Sequence, residues 1–186
     1  MSEPHDADAI VPDTVLAFWR AAGPDKWFKK DAAFDAEIHA RFLATYEAAA
    51  AGALAWDDMP VGALALLIVL DQFPRNMFRG SARAFAADPL ARTIATRAIE
   101  RGFDRYITVA ERGFFYLPFE HSETLADQER AVALNRATGD ADALKWAELH
   151  RDIIRRFGRF PHRNAALGRA TTPDEQAFLD GGGFAG

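Results

Sequence analysis

The chain has 186 residues, no cysteine and a net charge of −5 at pH 7. This length suits one domain that buries a real core without disulfides. Hydrophobic residues make up 49% and charged residues 26% of the chain, a globular balance that excludes wholesale disorder. The acidic charge argues against a nucleic-acid partner, and the lack of cysteine excludes disulfide scaffolds, thiolate zinc sites and cysteine nucleophiles.

The start of the chain shows no secretion signal, because residues 1–13 lack a basic beginning followed by an apolar stretch. The longest fully apolar run, Ala63–Leu70, has eight residues, whereas a bilayer span needs about 20. We therefore expect a cytoplasmic protein without a membrane partner. No break in composition divides the chain, so residues 1–186 are predicted to form one domain with flexible ends near residues 1–10 and 181–186.

The whole chain contains 38 alanines, a residue that favours helices. In the first half of the chain, capping residues mark where the helices begin and end. Pro74 is expected to end one of them, because proline lacks the N–H that a helix interior requires. The predicted helices in this half are Thr14–Ala22, Asp31 to Ala51, Val61–Gln72, a short helix capped by Ser81, and Asp88 to Arg101.

Two Thr-x-x-Glu patterns in the second half, beginning at Thr108 and Thr172, match capping boxes. No segment alternates polar and apolar residues with the period of a strand. The sequence therefore predicts an all-α fold of about nine antiparallel helices, at least two thirds helical, arranged as a bundle or as a helix-pair solenoid. The predicted helices in this half are a turn from Thr108 to Leu117, Ser122–Ala137, Asp140–Phe157 and a short helix from Thr172 to Asp180.

Asp71 is unusual for its position. The Val61–Gln72 helix is apolar on nearly every face, as a buried helix is. A buried carboxylate costs several kcal/mol unless it is paired, and Arg75 follows four residues later. We predict that Asp71 lies buried beside Arg75. Such a pair either fixes the turn after Phe73-Pro74 or belongs to a binding site.

His150 lies on the inward stripe predicted for Asp140–Phe157, together with Trp146. A lone histidine there is either a satisfied core residue or a group that transfers a proton. Residues 151–169 hold six arginines against one acid, which reverses the overall charge. The loop within this segment carries guanidinium and amide groups that suit a carboxylate or a phosphate, unless they form a solvated face. Its candidate ligand-binding residues are Arg159, His162, Arg163 and Asn164.

A third polar cluster surrounds the start of Ser122–Ala137. Acids at a helix start are favoured by the helix dipole without any function, but His121 with Glu123 could form a general acid–base pair. No spacing of these residues matches a known metal motif, so neither a metal nor another cofactor is predicted. The candidate catalytic residues are His121, Glu123 and His150.

Two predicted helix ends resemble each other, because each leads into a Phe-Pro loop followed by arginine, asparagine and glycine. Chance similarity is one explanation, since proline and asparagine are common in loops. A shared role is the other, because alternate loops of an antiparallel array lie at the same end. We predict that both loops and the Glu120–Asp127 segment line one polar cavity holding water or an anion. The first loop adds Asp71, Arg75, Asn76 and Arg79 to the candidate ligand-binding residues.

Several longer segments carry a resemblance to a known family. Among them are Leu16-Ala17-Phe18-Trp19, Leu70-Asp71-Gln72-Phe73-Pro74-Arg75-Asn76, Leu117-Pro118-Phe119-Glu120-His121-Ser122-Glu123, His150-Arg151-Asp152-Ile153-Ile154 and Phe157-Gly158-Arg159-Phe160-Pro161-His162-Arg163-Asn164. From Val15 to Leu179 the chain resembles the bacterial family catalogued as domain of unknown function 924. The resemblance implies a tetratricopeptide-like array of antiparallel helix pairs but no function. The family often has Met at position 120, which lowers the chemical interest of Glu120.

Three functions fit these residues. The first is a polar pocket that binds, or hydrolyses, a small anionic ligand held by arginines, with a histidine moving the proton. The second is an interaction module that holds a peptide carboxylate in an open groove. The third is a buried polar network that only specifies the fold.

Overall fold

The computed structural model describes residues 10–186, and helices cover 71% of them with no strand. The prediction of an all-α fold, at least two thirds helical, is confirmed. The predicted flexible end near residues 1–10 lies almost entirely outside the described residues. The α-helices are α1 Pro12–Ala22, α2 Pro24–Trp27, α3 Ala32–Ala50, α4 Pro60–Leu67, α5 Phe73–Met77, α6 Asp88–Glu100, α7 Val109–Arg112, α8 Leu117–Glu120, α9 Leu125–Thr138, α10 Ala141–Phe157 and α11 Pro173–Asp180.

Local capping sets the bounds of the long helices. The Asp31 carboxylate accepts hydrogen bonds from two N–H groups in the first turn of α3, and Asp140 does the same for α10. Gly139 and Gly158 take left-handed conformations, with φ of 78° and 70°, where α9 and α10 end. Gly139 allows the chain to reverse between α9 and α10, which pack along each other. The repeated helix-pair stacking implied by the tetratricopeptide resemblance stays a prediction.

One predicted capping box is confirmed and the other is wrong. Thr172 accepts a hydrogen bond from the Glu175 N–H, and Glu175 accepts one from the Thr172 N–H. Thr108 caps nothing and instead donates to Glu111 Oε2 at 2.8 Å. The Glu111 side chain is held away from the backbone by Arg20 of α1, whose Nε lies 2.6 Å from Oε1.

The helical chain continues past Pro74, so the prediction that a helix ends there is wrong. After α4 the chain passes into a π-helical turn over Ile68–Gln72, and α5 follows directly. The N–H of Phe73 donates to the carbonyl of Ile68, five residues back. Pro74 then lies in the first turn of α5, where a missing N–H costs little. The π turn, defined here as Ile68–Gln72, thus accommodates the proline and carries Asp71.

The main core packs residues from α1 and α3 around α4 and the π turn. Nearly every residue of α4 and the π turn is buried, as the apolar run predicted. The largest fully buried side chains include Trp19, Phe42, Phe73, Phe115, Phe119 and Phe160. No helix within residues 10–186 has both the length and the apolarity that a bilayer span requires.

A second, smaller core lies beside α10 and contains Ile153, Ile154 and Phe160, with Phe184 packed against it. His150 on α10 is 7% exposed, as predicted, but Trp146 is 51% exposed. The prediction that Trp146 faces inward is wrong, because half of the side chain is open to solvent; its ring centre lies 6.4 Å from that of Phe184.

Gly62 gives a first testable prediction, because α4 passes very close to the chain at Trp56. A Cβ atom at position 62 would lie 2.0 Å from the Trp56 carbonyl oxygen. Gly62→Ala is therefore expected to lower the free energy of unfolding by about 1–3 kcal/mol, as overpacking does. Gly113→Ala is the matched control, since its Cβ would meet no atom within 4 Å. Urea unfolding of both variants measures the difference, and equal stabilities would contradict the prediction.

Candidate functional site

Asp71 of the π turn is the centre of a buried polar network. Its side chain is 1% exposed and lies 3.2 Å from Arg75 Nη1. Oδ1 of Asp71 also lies 2.7 Å from His121 Nδ1, and Oδ2 accepts a hydrogen bond from Gln72. The prediction that Asp71 is buried beside Arg75 is confirmed. The carboxylate has three partners because a buried charge must be fully satisfied.

Arg75 connects Asp71 to the start of α6. Its two terminal nitrogens donate to the two oxygens of Asp88, each at 3.0 Å, in a bidentate pair. Nη1 of Arg75 also donates to the Asp71 carbonyl at 2.6 Å. Both terminal nitrogens of the guanidinium are therefore engaged within the protein.

Arg163 enters the same region from the second Phe-Pro loop. Its Nη1 donates to the His121 carbonyl at 2.9 Å and lies 3.7 Å from Asp88. The guanidinium lies over the rings of Phe85 and Phe160. Nε of Arg163 is buried and has no hydrogen-bond partner among residues 10–186. Arg163 is thus less fully paired than Arg75.

His121 presents one free nitrogen. Because ionised Asp71 can only accept hydrogen bonds, Nδ1 of His121 carries the proton between them. Nε2 of His121 makes no hydrogen bond within the described chain. This atom is not fully buried. In the neutral ring this nitrogen carries the lone pair, so it can accept a proton.

The charges of the network fix its protonation. Burial alone would raise the pKa of Asp71, but the neighbouring Arg75 and then His121 hold it well below its usual range. Burial and then Arg75 lower the pKa of His121, against the opposing effect of Asp71. At pH 7 the pair is therefore a carboxylate with a neutral imidazole. Burial and then Arg75 lower the pKa of Arg163 to about 10, which leaves it charged.

His150 lies beside Glu120 rather than His121. Its Nδ1 is 3.3 Å from Glu120 Oε2, yet it makes no hydrogen bond in the described structure. The other oxygen of Glu120 accepts a hydrogen bond from Asn135. Glu120 therefore holds the buried Asn135 and lies beside the buried His150. The sequence did not indicate this role.

Glu123 binds the second Phe-Pro loop. Its carboxylate accepts two hydrogen bonds from Arg169, at 2.7 and 3.0 Å, and one from the Phe160 N–H at 2.8 Å. Burial opposes ionisation, but Arg169 and the Phe160 N–H together lower the pKa of Glu123. Arg169 also donates to Asn164. Glu123 is therefore engaged with arginine and is not paired with His121 as a general acid–base set.

Three predicted ligand-binding residues donate hydrogen bonds to acids outside this network. Asn76 and Arg79 both donate to Asp35 of α3, with Asn76 Nδ2 at 2.7 Å and Arg79 Nη2 at 2.9 Å from Oδ1. Arg159 forms a bidentate pair with Glu175, at 2.6 and 2.8 Å. These contacts hold α5 against α3 and the loop against α11.

The structure brings together the two loops and the 120–127 segment, as predicted. Asp71 and Arg163 both contact His121, and Glu123 contacts Phe160. Two surface clefts lie elsewhere: one of about 410 Å³ between α1, α2 and α3, and one of about 450 Å³ along α6. The polar cavity expected at the network stays a prediction. Within residues 10–186 no cluster of three or more His, Asp or Glu side chains could hold a metal.

Sequence reasoning missed several partners in the network. Asp88 was visible only as the start of a helix, and its sequence distance of 13 residues from Arg75 gives no sign of a contact. The pairs of Glu123 with Arg169 and of Arg20 with Glu111 span still longer separations.

The fold and this network define an all-α protein in which buried Asp, Arg and His side chains join the ends of several helices. The chain belongs to the family described as bacterial protein of unknown function (DUF924), which matches residues 15–183. It is similar to a solved structure described as a protein of unknown function, ATU0120, from Agrobacterium tumefaciens. The two are 51% identical with a TM-score of 0.88, over 91% of this chain and 97% of that one. No curated protein matches the chain.

Proposed function

We propose that the protein binds a small carboxylate or phosphate anion between His121 and Arg163. The observation that carries the proposal is the accessible Nε2 of His121, opposite a nitrogen held by a buried carboxylate. An Asp–His pair of this kind orients the imidazole and stabilises the imidazolium that forms when it takes a proton. The pair supplies the base that a hydrolytic reaction of the bound anion requires.

Arg163 supplies the positive charge. Its nearest carboxylate oxygen lies 3.7 Å away, and its Nε has no partner within residues 10–186. Arg75 does not fill this role, because both of its terminal nitrogens already donate to Asp71 or Asp88. A guanidinium with an unused N–H is a suitable donor to a carboxylate or a phosphate oxygen. We propose that this occurs in the cytoplasm, without a nucleic-acid or membrane partner.

A titration with inorganic phosphate, followed by nitrogen NMR of the imidazole rings, tests this function. We expect Nε2 of His121 to shift as phosphate binds, and Arg163→Gln to weaken binding about 10–100-fold. That loss corresponds to about 1.5–3 kcal/mol, the contribution of a charged hydrogen bond. Arg79→Gln is the matched control, because its partner is Asp35, and it is expected to bind phosphate as the unmodified protein does.

Two results would contradict the proposal. One is a phosphate titration that leaves His121 unchanged. The other is an equal loss of affinity in Arg163→Gln and Arg79→Gln, which would indicate nonspecific attraction to arginine.

The cleft between α1, α2 and α3 supports a second candidate, the binding of a peptide carboxylate. Its lining combines the rings of Phe18 and Phe34 with Lys26 and Arg41. The rings are stacked with centroids 5.5 Å apart, and each has a cation over it. In an NMR titration that follows both phenylalanine and imidazole rings, a peptide ending in phenylalanine with a free carboxylate would shift Phe18 and Phe34 and leave His121 unchanged.

A further inference from the structure

The 181–186 segment places a phenylalanine ring against two histidines. The ring of Phe184 meets the His150 ring edge to face, with centroids 4.6 Å apart and planes at 87°. It meets His162 in the same way, at 5.2 Å and 82°. Both histidines also contact Phe160, which is fully buried. We call His150, Phe160, His162 and Phe184 the four-ring cluster.

The four-ring cluster leaves polar atoms unsatisfied. Nδ1 of His150, Nδ1 of His162 and Nε of Arg163 are all buried without a hydrogen-bond partner in the described chain. Buried polar atoms normally have such partners, and leaving them bare costs free energy. Arg163 belongs to the same cluster of atoms, since its guanidinium lies 4.5 Å from the centre of the Phe160 ring. A hydrocarbon ring at position 184 satisfies none of the three.

The backbone around Phe184 is built from glycine. Gly181, Gly182 and Gly183 precede it, and Gly182 has a φ of 78° that favours glycine. A Cβ atom at Gly183 would lie 2.6 Å from the Phe178 ring, so the missing side chain lets the segment lie close to α11. Three successive glycines also leave the segment with many accessible backbone conformations, so Phe184 can leave the cluster without breaking a helix.

We propose that the place of the Phe184 ring is the binding site for the aromatic ring of an aryl carboxylate, and that Phe184 is its exchangeable internal occupant. The inference rests on the proposed anion function and names its ligand class. An incoming ring keeps the edge-to-face contacts with both imidazoles. Its carboxylate supplies the oxygens that the unpartnered nitrogens of His162 and Arg163 lack.

The charges orient such a ligand. Glu120 lies 3.3 Å from His150 and repels an anionic group on that side. Arg163 follows His162 in the chain, lies against the Phe160 ring and donates a hydrogen bond to the His121 carbonyl. The carboxylate is therefore placed toward Arg163 and His162, and the ring toward His150. In this orientation the anion lies beside Arg163, whose Nη1 donates to the His121 carbonyl.

Benzoate and acetate are the probes, because they share a carboxylate and differ by the ring. We expect Phe184→Ala to bind benzoate at least tenfold more tightly than the unmodified protein, since no internal ring has to leave. Acetate binding is expected to change less than twofold. Phe157→Ala is the matched control: it removes a ring from the same core, but Phe157 packs against Phe178 and not against a histidine.

A measurement on the unmodified protein keeps the proposal testable if Phe184→Ala fails to fold. Saturating benzoate is expected to move the Phe184 ring resonances to those of a solvent-exposed ring and to shift the nitrogens of His150 and His162. Benzoate binding with an unmoved Phe184 would overturn the proposal, as would an equal gain in acetate affinity. If phosphate still shifts His121 while benzoate does nothing, only this inference fails. If neither anion acts, the proposed function fails with it.

Discussion

Asp71→Ala is expected to lower the free energy of unfolding by about 3–5 kcal/mol. This is the usual cost of removing one partner from a buried ion pair, because the remaining groups stay desolvated and unpaired. Here the groups left behind are Nδ1 of His121 and the amide of Gln72, both of which use the carboxylate. Arg75 keeps its bidentate contact with Asp88. Chemical denaturation monitored by circular dichroism measures the loss.

Asp58→Ala is the matched control. The Asp58 side chain is 85% exposed and lies 3.8 Å from Arg101. Replacing an exposed acid is expected to change the stability by no more than about 0.5 kcal/mol. A loss below about 1 kcal/mol for Asp71→Ala would mean that the network contributes little, and the argument from burial would be wrong.

His162→Gln is expected to remove part of the pH dependence of stability. Burial, and then Arg163 and His150, lower the pKa of His162 to about 3 in the folded protein, against about 6.5 in the unfolded chain. The unfolded chain therefore takes up a proton first as the pH falls. The stability that neutral His162 provides is complete above about pH 6.5 and is lost progressively toward pH 3. Between pH 7 and pH 5 this loss amounts to about 2 kcal/mol.

Urea unfolding at pH 7 and pH 5 measures the effect. The unmodified protein is expected to lose about 2 kcal/mol more than His162→Gln over this interval. The exposed His39 provides the control, and His39→Gln is expected to behave as the unmodified protein does. A pH dependence that is the same in all three proteins would show that His162 titrates normally.

The parts of the fold that local chemistry determines could be predicted from the sequence. Asp31 and Asp140 cap their helices as expected, and the acid–arginine spacing of Asp71 and Arg75 predicted a buried pair. These features depend on residues within one or two turns of each other, where spacing fixes geometry. The convergence of the two loops on His121 also followed from an antiparallel arrangement.

The parts that depend on distant packing could not be predicted. Whether Trp146 faces the core depends on which helix covers that side of α10, and periodicity alone does not say. Arg159 was assigned to a ligand, but its partner Glu175 lies 16 residues away on α11. The Thr-x-x-Glu pattern already assigned Glu175 to a capping box. Nothing in the sequence indicated that Glu175 also binds Arg159. The glycines of residues 181–186 predicted a flexible end, so the packing of Phe184 against the second core was not predicted.

The π turn gives this helical segment one residue more than a regular α-helix would use for the same rise. Each residue of an α-helix turns the chain by about 100°. If the same residues formed a regular α-helix instead, the extra residue would carry every later side chain of the segment about 100° away from its present direction. Arg75 would lose Asp88 although both residues were still present. The single extra residue in the π turn thus sets the direction in which Arg75 points, and with it the contact between Arg75 and Asp88.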